Sequence, residues 1–237
     1  LSGNVDRESL RVAVRDVVQD ENKRHPADFA LWKKDDKHLM QWFSPWGWGF
    51  PGWHIECSVM ARQYLGDTID LHGGGEDLKF PHHECEIAQS ESITGEPFCR
   101  HWMHVTFLQV DGQKMSKSKG NYYTVRDLVD DRGRDAVALR LALIAVPYGK
   151  PLNFTLQSLA DAEKNVERIR ESRRQASAAM DRPDGATGLG ERLQSIYGEA
   201  LAAMLDDLNT SVAIAKALEG VSEIFRAGET LGGESAQ

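Results

Sequence analysis

The sequence predicts an α/β segment followed by an all-α helical bundle, and three observations carry that prediction. A strand-like TIDLH at 68–72 leads into the glycine-rich HGGGEDL and then a helical stretch at about 82–93, the strand, turn and helix rhythm of an α/β sheet. A second β-rich run, WMHVTFLQV, occupies 102–110. From about Thr124 onward the apolar residues recur at helical spacing alone. The predicted division is therefore an α/β part over 1–123 and a helical part over 124–237.

Taken in order, Leu10, Val14, Val17 and Val18 predict an amphipathic helix from Arg7 to about Asp20, ended by the polar ENKRHP. Residues 26–53 read as loop, with Trp32, Trp42, Trp46, Trp48 and Trp53 among prolines and glycines, an arrangement expected to pack over a core or line a pocket. A helix is predicted at about 54–65, then the 68–72 strand, the glycine turn, and the 82–93 helix with Pro81 near its start. A polar loop from Asp111 to Asn121 closes the α/β part. Helices follow at DLV, at 134–146, from Thr155 to Met180 and, after the break RPDGATGLG, at about 190–206 and 209–227; the final GGESAQ reads as a frayed end.

Composition excludes several classes. With 237 residues and 41% apolar content the chain can bury a real core, as one large domain or two modest ones. No run approaches the ~18 apolar residues that span a bilayer, and the first thirty residues hold no signal pattern, so neither membrane insertion nor export is expected. Three cysteines are too few for a disulfide scaffold and predict reduced thiols in a cytoplasmic protein. A net charge of -8 argues against indiscriminate nucleic-acid binding, although residues 112–126 carry four positive charges and no negative ones. The start at Leu1, without a methionine, predicts that an N-terminal part precedes this stretch.

Two short stretches concentrate ligand-type side chains: WHIEC at 53–57 and PHHECE at 81–86. His82 and Glu86, four apart on a predicted helix, share a face that Cys57 can meet from the preceding helix, a donor set suited to zinc. His83 and Cys85 are alternative ligands pointing about 100° to either side of that line. Spacing alone leaves open the plainer reading of a buried thiol with capping or core histidines. HGGG suggests an oxyanion loop of esterases, but the nucleophile elbow GxSxG occurs nowhere in the chain. KMSKSKGN at 114–121 follows a strand in an acid-free region, where lysine ammoniums can neutralise a polyphosphate; a basic solvated loop reads the same by composition.

WHIEC, HGGGEDLKFPHHECE and KMSKS, in this order and spacing, resemble the cysteinyl-tRNA synthetases, class I aminoacyl-tRNA synthetases. SGN at 2–4, PADFALWK at 26–33, SPWGWGFPGW at 44–53 and YGKPLNF at 148–154 extend the resemblance over nearly the whole chain. It implies that the α/β part is the second half of a Rossmann-type class I synthetase catalytic domain, followed by a stem-contact segment and the helical domain. Carried over by position, it makes Cys57, His82 and Glu86 three of four zinc ligands and sets Trp53, His72 and Asp77 around the amino acid and adenylate. Lys114, Met115, Ser116, Lys117 and Ser118 match the KMSKS loop, with Lys117 on the ATP phosphates.

The implied reaction activates L-cysteine with ATP, Mg2+ being co-substrate, to cysteinyl-adenylate and pyrophosphate, then transfers the cysteinyl group to tRNA(Cys). Zn2+ suits the selectivity this needs: a pocket of ordinary size rejects so close an analogue as serine by no more than about a hundredfold, whereas a soft metal prefers sulfur to a hydroxyl. The family's HIGH signature, N-terminal cysteine ligand and anticodon-binding domain do not occur in these 237 residues, and Cys85 stands where relatives carry asparagine. The expectation is a fragment inactive by itself, from a ligase that is a monomer at full length. The alternatives are the related ligase that joins cysteine to a glucosaminyl-inositol in mycothiol synthesis, and a non-catalytic zinc- or tRNA-binding remnant.

Overall fold

A computed structural model describes residues 23–24, 28–181 and 188–232. The helix expected at 7–20, most of the RPDGATGLG break and the chain end from 233 lie outside these residues. The chain divides into two compact units, Leu1–Val105 and Thr106–Gln237.

In the first unit, the segment expected as loop forms a three-stranded antiparallel sheet: β1 (Trp32–Lys34), β2 (Trp42–Ser44) and β3 (Gly47–Pro51), in the order β1-β3-β2. The β2–β3 turn is tight because Gly47 takes φ +99° and the Ser44 hydroxyl both donates to the Gly47 carbonyl (2.8 Å) and accepts the Trp46 N–H (3.1 Å). Phe43 stands opposite Trp48, their rings edge-on at 5.8 Å, a cross-strand pair that supports the hairpin. Trp42, Phe43, Trp46 and Trp48 are nonetheless exposed rather than packed over a core within this unit.

Helix α1 (Ile55–Leu65) follows, then strand β4 (Ile69–Gly75), helix α2 (Glu84–Thr94) and strand β5 (Cys99–Val105). Strands β4 and β5 pair in parallel from Ile69↔Cys99 to Gly75↔Val105, with α2 in the crossover that parallel pairing requires. HGGG therefore does not make the turn expected of it. Its glycines continue β4, and the chain turns after them through a 3₁₀ segment, Glu76–Leu78. A Cβ on Gly74 would come within 2.9 Å of His83 Cε1 and of Leu78 Cδ1, so this glycine lets the imidazole lie against the strand. Ile69, Ile87, Phe98 and Cys99 form the core of this unit, with Ala61 and Trp102 packed on it.

The second unit holds β6 (Leu108–Val110), β7 (Gln113–Lys114) and β8 (Leu152–Phe154) in the order β7-β6-β8, antiparallel then parallel. Asp111 and Gly112, both left-handed at φ +50° and +73°, make the two-residue β6–β7 hairpin. Helices α3 (Ala136–Ile144), α4 (Leu156–Ala179), α5 (Leu189–Leu205) and α6 (Thr210–Ala227) complete the unit. The α3 start is set by Asp135, whose carboxylate accepts the Val137 and Ala138 N–H groups, and the α4 start by a Thr155/Ser158 capping box. Val110, Phe154, Leu128, Leu139 and Leu159 share one core, which is why the chain divides before β6 and not at the expected 123–124 boundary. A second cluster joins Ala179, Leu189 and Leu231.

Candidate functional site

In the first unit, β4 and α2 bring a buried carboxylate against two imidazoles. One nitrogen each of His72 and His83 and one oxygen of Glu86 lie within 4.8 Å of one another, and this is the cluster of three ligand-type side chains found among the described residues. His72 Nε2 and Glu86 Oε2 stand 2.8 Å apart, yet both atoms are buried without a hydrogen-bond partner. Burial of such atoms is costly unless something else satisfies them. Cys57 on α1 is exposed, and its thiol pKa is raised first by partial desolvation and then by the nearby Glu86 and Glu56 carboxylates.

Helix α2 begins at Glu84, and the preceding turn, Lys79–His83, departs from helical backbone only at Phe80 (φ −138°, ψ +134°), so His82 stands four residues before Glu86 along helical backbone, yet its ring is not part of the His72, His83 and Glu86 cluster. His82 instead places Nδ1 3.2 Å from Nε2 of His54, and its ring sits edge-on to Trp53 at 5.7 Å. His83 takes the buried position, with Nδ1 2.9 Å from His104 Nε2 and its ring beside Trp102 at 5.1 Å. Burial first, then the neighbouring His72 and His104, lower the His83 pKa to about 4, so that it is neutral at physiological pH. Cys85 is pushed up to about 11 by burial and by Glu84 and Glu86, and stays a thiol.

Trp53 is exposed, but the backbone at this point is held: Gln89 on α2 donates to the Trp53 carbonyl at 3.3 Å and accepts from the Ser58 hydroxyl at 2.7 Å. Asp77 lies in the 3₁₀ turn after β4, its carboxylate folded back against Gly75. Three residues of this site escaped the sequence reading. His54 precedes α1 in a left-handed conformation (φ +74°), Gln89 is buried, and His104 alternates with Trp102 along β5, the one local signal that marked it.

In the second unit, Lys114 ends β7 and residues 117–119 form a 3₁₀ turn. The ammonium of Lys117 lies 5.2 Å from the centre of the Tyr122 ring and that of Lys114 lies 5.9 Å from Phe107, both within cation–π range. Ser116 Oγ and Ser118 Oγ are 2.8 Å apart. Met115 packs against the core around Val110, so its side chain anchors the loop. Neither Lys114 nor Lys117 forms an ion pair among the described residues, which leaves both charges available to an anion.

A parallel strand pair with a crossover helix, followed by a basic loop and a helical unit, is the arrangement of a class I synthetase. The fold matches the LeuRS chain of the LeuRS–tRNA–LeuAMS ternary complex from Agrobacterium radiobacter with a TM-score of 0.63 at 17% identity, over 83% of this chain and 31% of that one. More narrowly, the chain belongs to the family described as tRNA synthetases class I (C) catalytic domain, whose sequence profile matches residues 3–164. It is 55% identical over 239 residues to the cysteine–tRNA ligase of Salinibacter ruber, spanning 94% of this chain and 46% of that protein. The cysteine–tRNA ligases of Chlorobaculum tepidum (42% identical; 94% and 45% covered) and Solibacter usitatus (47%; 90% and 47%) are similar. The chain thus spans about half the length of the curated relatives it matches. No helix among the described residues is long and apolar enough to cross a membrane.

Proposed function

We propose that this chain supplies the thiol-recognising side chains and the phosphate-binding lysines of an ATP-dependent ligase that joins L-cysteine to tRNA(Cys) in the cytoplasm. The observation that carries the proposal is the orphaned His72 Nε2 and Glu86 Oε2 pair beside the Cys57 thiol, in a chain 55% identical to a cysteine–tRNA ligase.

The donor set fits zinc. Glu86 is its anchor; the donor atoms of His72, His83 and Glu86 lie within 4.8 Å of one another, Cys57 stands near enough for the Glu86 charge to raise its pKa, and His82 is the donor that the motif resemblance adds. Bound there, zinc supplies a soft Lewis acid that takes a thiolate sulfur in preference to a serine hydroxyl. The protein's own part is to hold these donors. Gln89 fixes the backbone at Trp53, the glycines of β4 admit His83, and burial keeps His83 neutral and able to donate its lone pair to a metal. Trp53, His72 and Asp77 border the amino acid and its adenylate.

In the second unit, Lys114 and Lys117 face the triphosphate of ATP, carried with Mg2+. Negative charge that develops as pyrophosphate leaves is met there by ammoniums that no acid among the described residues neutralises. tRNA(Cys) is the acceptor, and the three free thiols suit a reducing compartment.

The test is cysteine-dependent exchange of pyrophosphate into ATP by a chimaera in which this chain replaces its aligned segment of the Salinibacter ruber ligase. Exchange with cysteine and not with serine is expected. A folded chimaera that exchanges with neither, beside an active parent ligase, contradicts the proposal.

A further inference from the structure

Asn121 closes the lysine-bearing loop on itself. Its Oδ1 accepts the Ser116 N–H at 2.9 Å, while its Nδ2 donates to the Lys114 carbonyl at 3.3 Å and to the Val110 carbonyl at 3.5 Å. One half-buried side chain therefore joins the last residue of β6, the last residue of β7 and the residue that opens the 3₁₀ turn. Gly120, left-handed at φ +70°, donates its N–H to the Lys117 carbonyl at 3.2 Å and returns the chain so that Asn121 lies across the loop. The hairpin turn is held separately: Asn153 on β8 accepts the Gly112 N–H at 2.8 Å.

Only an amide of this length meets both demands, because it offers an acceptor and donors on one carbon. Aspartate would keep the bond to Ser116 but turn a second oxygen toward the Lys114 carbonyl. Alanine would release Ser116 and Lys114 together. Lys117 follows Ser116 directly and starts the turn, so the direction of its side chain is set by the backbone that Asn121 holds.

We propose that Asn121 is a positioning residue for Lys117: it fixes the loop backbone so that the ammonium reaches a phosphate by a side-chain swing off the Tyr122 ring, with no rearrangement of the loop. The inference rests on the reading of this loop as the phosphate-binding element of the proposed ligase. Preorganisation of this kind matters most where charge develops, since an untethered lysine must be ordered during the reaction itself.

The experiment uses the whole 237-residue chain, isotopically labelled, with backbone amide exchange and a titration of inorganic tripolyphosphate both followed by NMR. In Asn121→Ala, Ser116 amide protection is expected to fall at least about tenfold while the amides of Leu139 and Leu159 in the core keep theirs. Tripolyphosphate affinity, read at the Lys117 side chain, is expected to weaken at least about fivefold. Unchanged Ser116 protection in the variant overturns the clasp, and lost protection with unchanged affinity overturns the positioning role. Should the variant fail to fold, the parent chain still decides: a Ser116 amide exchanging as fast as that of Ser118 means that no clasp exists. A parent chain that ignores tripolyphosphate overturns the phosphate reading of the loop itself, and the inference with it.

Discussion

Two adjacent glycines of β4 separate crowding from every other effect of substitution. Neither Gly73 nor Gly74 has a positive φ, so alanine suits the backbone at both. At Gly73 the nearest atom to an added methyl is the Met103 carbonyl oxygen at 3.4 Å, an ordinary contact. At Gly74 the methyl meets His83 Cε1 and Leu78 Cδ1 at 2.9 Å and His83 Nε2 at 3.1 Å. Leu78 can rotate away; His83 is buried, bonded to His104 and packed on Trp102, and cannot. Overpacking of this kind costs about 1–3 kcal/mol, whereas Gly73→Ala should change stability by less than about 0.5 kcal/mol. For a unit of roughly 100 residues that difference is a melting-temperature drop of about 5–15 °C. All six tryptophans lie in the first unit, so thermal unfolding followed by tryptophan fluorescence reads it selectively. Equal melting temperatures for the two variants would refute the claim that Gly74 makes room for His83.

Further predictions concern both units. Leu159→Ala, at a fully buried position, should cost about 2–5 kcal/mol and show in the helical circular-dichroism melt more than in tryptophan fluorescence. Asp135→Ala removes the α3 cap and should cost about 1 kcal/mol by denaturant unfolding. Its carboxyl is held below the usual range by the Arg170 hydrogen bond first, so that stabilisation is present above the unfolded-state pKa and is lost as pH falls through the lower folded-state value. His83 acts in the same direction at higher pH: with a pKa of about 4 folded against 6.5 unfolded, the unfolded chain binds the extra proton between those values. First-unit stability of metal-free protein should therefore fall as pH drops from 6.5 to about 4, with a shallower slope in His83→Gln. In the Salinibacter ruber chimaera, Lys117→Ala should slow adenylate formation by about 100-fold or more in single-turnover kinetics, with the fold intact.

The long helices were legible because their signals are local. Thr155 to Met180 reads as a helix from periodicity and is Leu156–Ala179 in the structure, opened by a capping box within four residues of chain. The helix predicted at 54–65 is Ile55–Leu65 for the same reason. The β1–β3 sheet was not legible: its strands are three to five residues long and are broken by glycine and proline, and the pairing of Phe43 with Trp48 declares itself only when the strands are side by side. HGGG read as a turn because nothing local shows that Met103 to Val105 lies alongside it, 30 residues away in register. The division into units before β6 is likewise not declared locally, since β6 belongs with β8 through a pairing that spans the basic loop and α3.

At the site, donor types could be read from the sequence, whereas the meeting of particular atoms could not. His82 and His83 differ by one position, and that His83 meets Glu86 while His82 meets His54 is decided by packing against other elements that no local signal declares. Cys57 and Glu86 both stand out by motif, and Glu86 is near enough to raise the Cys57 pKa; His72, expected beside the amino acid, lies against Glu86. The loop at 114–118 was legible as a run of lysines and serines, while the amide of Asn121 that ties it together lies outside the motif's lettered core and shows only in three dimensions.

Zinc held by the donors around Glu86 is the centre of the proposed function. Metal analysis of the 237-residue chain, purified without chelator beside a Glu86→Gln variant of equal fluorescence-monitored stability, decides it. About one zinc per chain is predicted for the parent and almost none for the variant, because loss of the anchoring carboxylate removes a ligand common to every donor set that the cluster allows. A parent chain free of zinc when the metal is supplied, or a variant that holds as much as its parent, would contradict it.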